Sequence, residues 1–376
     1  MDRPTSRVTN DASPPAPDTV LAALSDGALQ SRLLDGVSRT FALTIPQLPP
    51  ALAGVVSNAY LLCRIVDTIE DEPAMDLEQK RHFSERFVEA VAGTGSPDAF
   101  ASELAPLLSP STIPAEHKLI RLAPRVLGIT HGYNSGKRRI LERCVRIMAD
   151  GMVEFQTPRS RRGLDDLEHL DRYCYFVAGI VGETLTLLYC DYSPQILARR
   201  EEMMRLGVSF GQGLQMTNIL KDIWDDLDRG ACWLPRTVFD AEGFDLDTLD
   251  RARYDAAFGR GLRKLVAVAR EHLSNALRYT QMIPAGERGI RNFCLWALGM
   301  AVLTLRKINR HPDFRSGTEV KISRRSVRFT VTASRATAGS NTIIRVLFEI
   351  AATGLPSAPP PQVFDASEVS EESADR

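Results

Sequence analysis

Two acidic clusters constrain this chain more than any other feature: Asp67-Thr68-Ile69-Glu70-Asp71 and Asp222-Ile223-Trp224-Asp225-Asp226, roughly 150 residues apart. Each places carboxylates at i, i+3 and i+4, positions that share one face of a helix. Like charges stacked in this way repel, and taking carboxylates out of water is costly unless a cation joins them. Two such stripes facing one cavity would hold Mg²⁺ ions, the usual partners of substrate diphosphates.

The surroundings of both clusters read as helix. Leu52, Val55, Val56, Ala59, Tyr60, Cys63 and Val66 recur at spacings of three and four and run into the first cluster. Similar periodicity predicts helices over 79–91, 136–155, 167–189, 194–227, 254–282 and 289–309, punctuated by Pro73, Pro158, Pro235 and Pro284. No strand–helix alternation occurs, which argues against a parallel sheet. The expectation is one all-α domain over 20–354, its helices surrounding a central cavity. Residues 1–19 and 355–376 are polar and proline-rich and read as disordered tails. The stretch 315–335 is basic and β-branched, and reads as a loop or ribbon forming a basic flap over the cavity. Gly207, Gly211 and Gly213 follow no strand, so they read as close-packing glycines and not as a dinucleotide-binding loop.

Composition excludes several classes. The net charge is −1, which gives no overall field for nucleic acid. The six cysteines are scattered without a CxxC pair and read as buried apolar residues of a reduced protein. The N-terminus lacks the apolar stretch of a secretory signal. The longest uncharged run is broken by Pro46, Pro49 and Pro50; its helical remainder, 51–63, is too short to span a bilayer, as is 292–305. A cytoplasmic chain without a transmembrane segment is therefore expected, one able to rest on a membrane surface.

Departure of a prenyl diphosphate leaves an allylic cation and a leaving group carrying about three negative charges, which metal ions and basic side chains must neutralise. Asp67, Asp71, Asp222 and Asp226 suit metal ligation, with Glu70 and Asp225 beside them. Arg39, Arg64 and Lys221 are basic neighbours. A cation needs a dry aromatic pocket, for which Phe41, Tyr60, Tyr173, Tyr175, Phe176 and Phe293 are candidates. The bland alternative is that the tyrosines of 173–179 are core packing with satisfied hydroxyls. Arg159, Arg161 and Arg162 read as a solvated loop.

Four blocks together resemble the squalene/phytoene synthase family, over roughly residues 30–335. They are Ser38-Arg39-Thr40-Phe41 with Tyr60-Leu61-Leu62-Cys63-Arg64-Ile65-Val66-Asp67 and the first cluster; Met148-Ala149-Asp150-Gly151-Met152 leading to Tyr173-Cys174-Tyr175-Phe176-Val177-Ala178-Gly179; Gln215-Met216-Thr217-Asn218-Ile219-Leu220-Lys221 with the second cluster, ending at Trp233-Leu234-Pro235; and Arg291-Asn292-Phe293-Cys294 with Val320-Lys321-Ile322. The fourth block looks like the squalene synthase branch.

The resemblance implies an isoprenoid synthase-like helical fold, Mg²⁺ and NADPH as cofactors, and two molecules of farnesyl diphosphate as substrate. Presqualene diphosphate would form first and then be reduced to squalene. The alternative is a phytoene, dehydrosqualene or presqualene diphosphate synthase that lacks the reductive step. By motif position, Asp67, Glu70, Asp71, Asp222 and Asp226 would serve the metal. Ser38, Arg39, Tyr60 and Arg64 would meet diphosphate, and Gln215 and Asn218 would line the same cleft. Tyr173 would act in the first half-reaction and Phe293 in the second, with Lys321 near the nicotinamide cofactor. The chain departs from the family pattern at Lys221, where arginine is usual, and at Tyr175-Phe176, where a histidine is usual. The stretch 343–355 carries Arg345 and Glu349, so it resembles a surface or packed helix more than the membrane anchor of eukaryotic members.

Overall fold

Proline starts, polar caps and glycine stops divide the chain into helices almost without interruption. The protein is represented by a computed structural model that describes residues 21, 23–156 and 162–361. Its principal helices are α1 Asp26–Val37, α2 Arg39–Thr44, α3 Pro50–Asp71, α4 Leu77–Ala92, α5 Pro97–Leu104, α6 Pro114–Arg121, α7 Ala123–Gly132, α8 Ser135–Gln156, α9 Leu167–Cys174, α10 Ile180–Tyr192, α11 Arg200–Asp228, α12 Ala256–Met282, α13 Arg288–Arg310, α14 Arg324–Thr337 and α15 Asn341–Ala352. No strand occurs among the described residues, and a single bridge joins Leu164 to Pro235. The all-α class expected from periodicity is the observed one.

Local chemistry explains the boundaries. Asp76 and Gln79 form a reciprocal capping box at the start of α4, and Gly93 ends that helix at φ 87°. Ser38, Asp166 and Asp255 cap α2, α9 and α12 by accepting from backbone N–H groups.

The central helix, α11, packs against α10, α12 and α13, while α3 packs against α8 and α10. Glycine permits the closest of these approaches. A Cβ on Gly182 of α10 would sit 2.0 Å from the Gly207 carbonyl oxygen, and one on Gly211 2.1 Å from that of Ala178. Gly207, Gly211 and Gly213 therefore act as packing glycines, as expected.

Several sequence expectations need correction. The 194–227 helix breaks around Ala198, leaving a short turn Pro194–Leu197 before α11. The 167–189 helix contains a π-helical turn, Tyr175–Gly179, that propensity does not reveal. The basic stretch 315–335 is not a ribbon: it forms a helical turn, Gly317–Val320, and then α14, capped by Ser323. Its β-branched residues hid a helical stripe, Thr330, Ser334 and Ala338, which is buried. Leu355, assigned to the C-terminal tail, packs into the core. The helix begun at Pro50 runs on to Asp71; it and the run Leu167–Tyr192 are long and apolar enough to cross a membrane, yet both are mostly buried within the fold. The tails 1–19 and 362–376, with Arg159 and Arg161, lie outside the described residues.

Candidate active site

The two acidic stripes occupy equivalent places: the last turn of α3 and the last two turns of α11. Helix C-termini carry partial negative charge, so carboxylates there are opposed by the helix as well as by each other. Both stripes thus have an electrostatic demand for cations built into their position.

The first stripe is held by an arginine. Arg64 Nη1 lies 3.6 Å from Asp67 Oδ2, and Arg64 Nη2 also contacts Glu116 of α6. Burial raises the Asp67 carboxyl to about 7; Arg64 opposes the rise, while Asp71 and Glu70 add to it. Lys80 donates to the Glu70 carbonyl from α4. In the second stripe, burial raises Asp226 to about 6 against the pull of Arg229, with Asp222 and Asp71 adding to the rise. Lys221 Nζ lies 3.0 Å from Asp222 Oδ2 and 3.4 Å from Asn218 Oδ1. Asp225 is exposed.

The influence of Asp71 on Asp226 brings the stripes into one site. Tyr173 sits at their junction, where burial first, then Glu70, Asp71 and Asp226, hold its hydroxyl well above the usual range. Its ring stacks on Trp233 with centroids 4.0 Å apart and planes 8° from parallel, and Phe155 meets its edge at 5.2 Å. The π turn directly after α9 carries Ala178 onto Gly211 of α11, fixing Tyr173's segment beside the second stripe.

A second aromatic group stands beside the first stripe. Ser38 accepts from the Phe41 N–H at 3.1 Å and lies beside Tyr60, one turn before Arg64, where it opposes the rise that burial imposes on the Tyr60 hydroxyl. Phe41 lies 4.8 Å from Tyr60 and 6.4 Å from Phe293 between ring centroids. Val177, Val181 and Leu185, at four-residue spacing after Tyr173, and Leu214 of α11 are half-buried apolar side chains packed on the core. Gln215 and Asn218 share the α11 face that carries Asp222.

The structure thus brings together Ser38, Tyr60, Arg64, Asp67, Glu70, Asp71, Tyr173, Gln215, Asn218, Asp222, Asp226 and Phe293. Lys321 is exposed at the edge, its carbonyl held by Lys307 Nζ at 2.6 Å. The turn preceding it presses on the second stripe: a Cβ on Gly317 would lie 2.9 Å from Asp222 Oδ1. The side chain of Arg39 lies outside the described residues. Tyr175 and Phe176 do not join the site. The Tyr175 hydroxyl turns to Glu183 at 3.4 Å, and Phe176 fills the space left by Gly151. Sequence reasoning missed Glu116, Trp233 and Gly317 as site residues. Trp233 could have been suspected as a tryptophan that closes a matching block; Glu116 and Gly317 carry no local signal.

Among the described residues, no three acidic, histidine or cysteine groups converge tightly enough to cage a metal ion. An all-oxygen set spread over two stripes suits Mg²⁺, which takes one or two carboxylates and fills its shell with water and phosphate oxygens. The raised Asp67 and Asp226 carboxyls fit the same demand for a cation.

The family model described as squalene/phytoene synthase matches residues 34–326. The squalene synthase of Schizosaccharomyces pombe is 27% identical over 77% of this chain and 61% of its own length. That of Eremothecium gossypii is 30% identical over 85% of this chain and 70% of its own. The solved complex of TcSQS with the ligand BPH1237 superposes with a TM-score of 0.71 at 22% identity, covering 89% of this chain and 94% of that one. The chain spans about three fifths of the length of the first curated relatives it matches.

Proposed function

Because this chain belongs to the squalene/phytoene synthase family, we propose that it joins two farnesyl diphosphates head to head and reduces the product to squalene. Presqualene diphosphate is the intermediate, and NADPH is the reductant. One observation carries the reading: Asp71 and Asp226, from opposite stripes, both bear on the buried hydroxyl of Tyr173.

The divided roles of the side chains follow from their surroundings. Asp67, Asp71, Asp222 and Asp226, with Glu70 beside them, would hold Mg²⁺, which when bound neutralises the departing diphosphate. Arg64 is oriented by Asp67 and Glu116 together, so its guanidinium is preset where negative charge develops. Lys221, already against Asp222, adds a mobile point charge at the second stripe. Tyr173 stays protonated at neutral pH because burial and three carboxylates disfavour its phenolate. Beside an allylic cation it therefore offers a hydroxyl dipole and, with Trp233, aromatic faces, but no anionic nucleophile that would trap the cation. Phe41, Tyr60 and Phe293 form a second aromatic wall suited to the cation of the later rearrangement. Lys321, exposed four residues beyond the Gly317 that abuts Asp222, would meet a phosphate of the dinucleotide, which when bound supplies hydride.

Product analysis tests the reading. With farnesyl diphosphate and Mg²⁺ alone the enzyme should accumulate presqualene diphosphate, and adding NADPH should yield squalene. A C30 hydrocarbon formed equally with and without NADPH would replace it with a non-reductive dehydrosqualene reading.

A further inference from the structure

α14 and α15 make an outer layer on α13. Arg291, near the start of α13, holds Ala338 and Asn341; Gly299, in its middle, faces Thr330; Lys307 and Arg306, near its end, hold Lys321 and Ala351. The two helices therefore run antiparallel side by side, with their buried faces toward α13 and their other faces outward.

Those outward faces are unusual for this protein in two independent ways. α15 satisfies the core with Ile344, Phe348 and Ala352, yet carries a second apolar stripe, Ile343, Val346 and Ile350, at i, i+3 and i+7. These are 47%, 49% and 59% exposed, and Phe329 on α14 is 68% exposed. Half of the large apolar side chains exposed among the described residues thus lie on this one hairpin. The charge is equally one-sided. Between positions 320 and 352 there are six basic residues against one acidic, the exposed Glu349, in a chain whose net charge is −1. Arg324, Arg325 and Arg328 all lie exposed on α14.

We propose that the α14–α15 face docks the protein on an anionic lipid bilayer. Apolar side chains ringed by arginine on an outward helical face are the physical requirement for interfacial binding, through insertion and headgroup attraction together. A second copy fits poorly, since a two-fold contact would set this basic face against itself. The chain's own segment 362–376, with five acidic residues and one arginine, could match the charge. It brings few large apolar side chains to cover Phe329, Ile343, Val346 and Ile350. The inference is independent of the reaction proposed above, because lipid binding is read without turnover.

Vesicle co-sedimentation of the full chain provides the test, with phosphatidylcholine vesicles and with mixed phosphatidylcholine/phosphatidylglycerol vesicles, at low and high salt. At least tenfold tighter binding to the anionic vesicles is expected, weakened by salt. Two surface variants, Arg324→Gln/Arg325→Gln/Arg328→Gln and Phe329→Ser/Ile350→Ser, should each lose at least tenfold while keeping the wild-type circular dichroism and Tm. Phe329→Trp should show a blue-shifted emission on anionic vesicles. No preference for anionic vesicles, or unchanged binding in both variants, would overturn the proposal. So would binding seen only after truncation beyond Pro361, which would assign the face to the chain's own tail. A dimer that the variants dissolve, in a wild type that ignores vesicles, would assign it to a second copy.

Discussion

The two acidic stripes share a spacing and a place at a helix end, but their burial runs in opposite directions. In α3 the first carboxylate, Asp67, is half-buried and the last, Asp71, is exposed; in α11 the last, Asp226, is buried and the first, Asp222, is half-buried. Their basic partners differ as well. Arg64 is divided between Asp67 and Glu116, whereas Arg229, the partner of Asp226, is 61% exposed. The same motif therefore sits in two settings, one whose guanidinium is shared between two carboxylates, the other whose guanidinium is open to solvent. The sequence spacing of carboxylates specifies a shared face, but the tertiary environment decides which member of each face is electrostatically stressed.

The sharpest way to break this comparison is to remove ligands singly. Asp67→Asn and Asp226→Asn should each lower turnover by about two orders of magnitude or more at saturating Mg²⁺, measured as product formed from farnesyl diphosphate. The exposed Asp225→Asn should cost no more than about threefold to tenfold, as outer support does at the mild end. Equal losses at all three would mean that burial does not distinguish the members.

A packing change asks whether the stripes must be held at their present separation. Gly182→Ala drives a methyl into the Gly207 carbonyl at the α10–α11 crossing. About 3 kcal/mol or more of destabilisation is expected, read from the denaturation midpoint. An unchanged midpoint would show that α10 and α11 can part without cost.

Acid titration distinguishes the two stripes by size of effect. A carboxylate whose folded pKa lies above its unfolded value binds more protons folded than unfolded between the two values, so stability falls as pH rises through that window. Asp67, displaced from 3.8 to about 7, should contribute a loss between about pH 4 and pH 7. Asp226, displaced to about 6, should contribute a smaller one. Without added metal, Asp67→Asn should flatten the stability–pH curve more than Asp226→Asn does. The reverse order would contradict the larger displacement of Asp67.

The smallest effect concerns the residue that fixes Arg64. Glu116→Gln leaves the guanidinium to Asp67 alone and should raise the Mg²⁺ concentration for half-maximal rate about threefold to tenfold, through altered positioning. The maximal rate should change less. A fall in maximal rate alone would recast Glu116 as acting on the chemistry.

Much of this could be read from residue spacing because it depends on short-range periodicity. The runs into Asp67 and Asp222, the glycines of α11 and the all-helical class are local patterns. What escaped depends on contacts distant in sequence. Glu116 meets Arg64 across 52 residues, and Trp233 stacks on Tyr173 from beyond the end of α11. The π turn at Tyr175–Gly179 arises from the fit of Ala178 and Gly179 against α11, a tertiary demand with no propensity signature. α14 was misread because Val327, Thr330 and Val331 favour strands locally, whereas packing on α13 favours the helical stripe Thr330, Ser334 and Ala338. Tyr175 and Phe176 misled in the other direction: their aromatic chemistry is suited to a cation, but their side chains serve the core.

The central claim is that Asp71 and Asp226 act on one shared cation-filled site. A double-mutant cycle on Mg²⁺-dependent binding of farnesyl thiodiphosphate, with Asp71→Asn and Asp226→Asn singly and together, tests it most directly. Strong coupling is expected, the double variant losing little more affinity than either single one. Losses that simply add would place the two carboxylates in separate sites and contradict it.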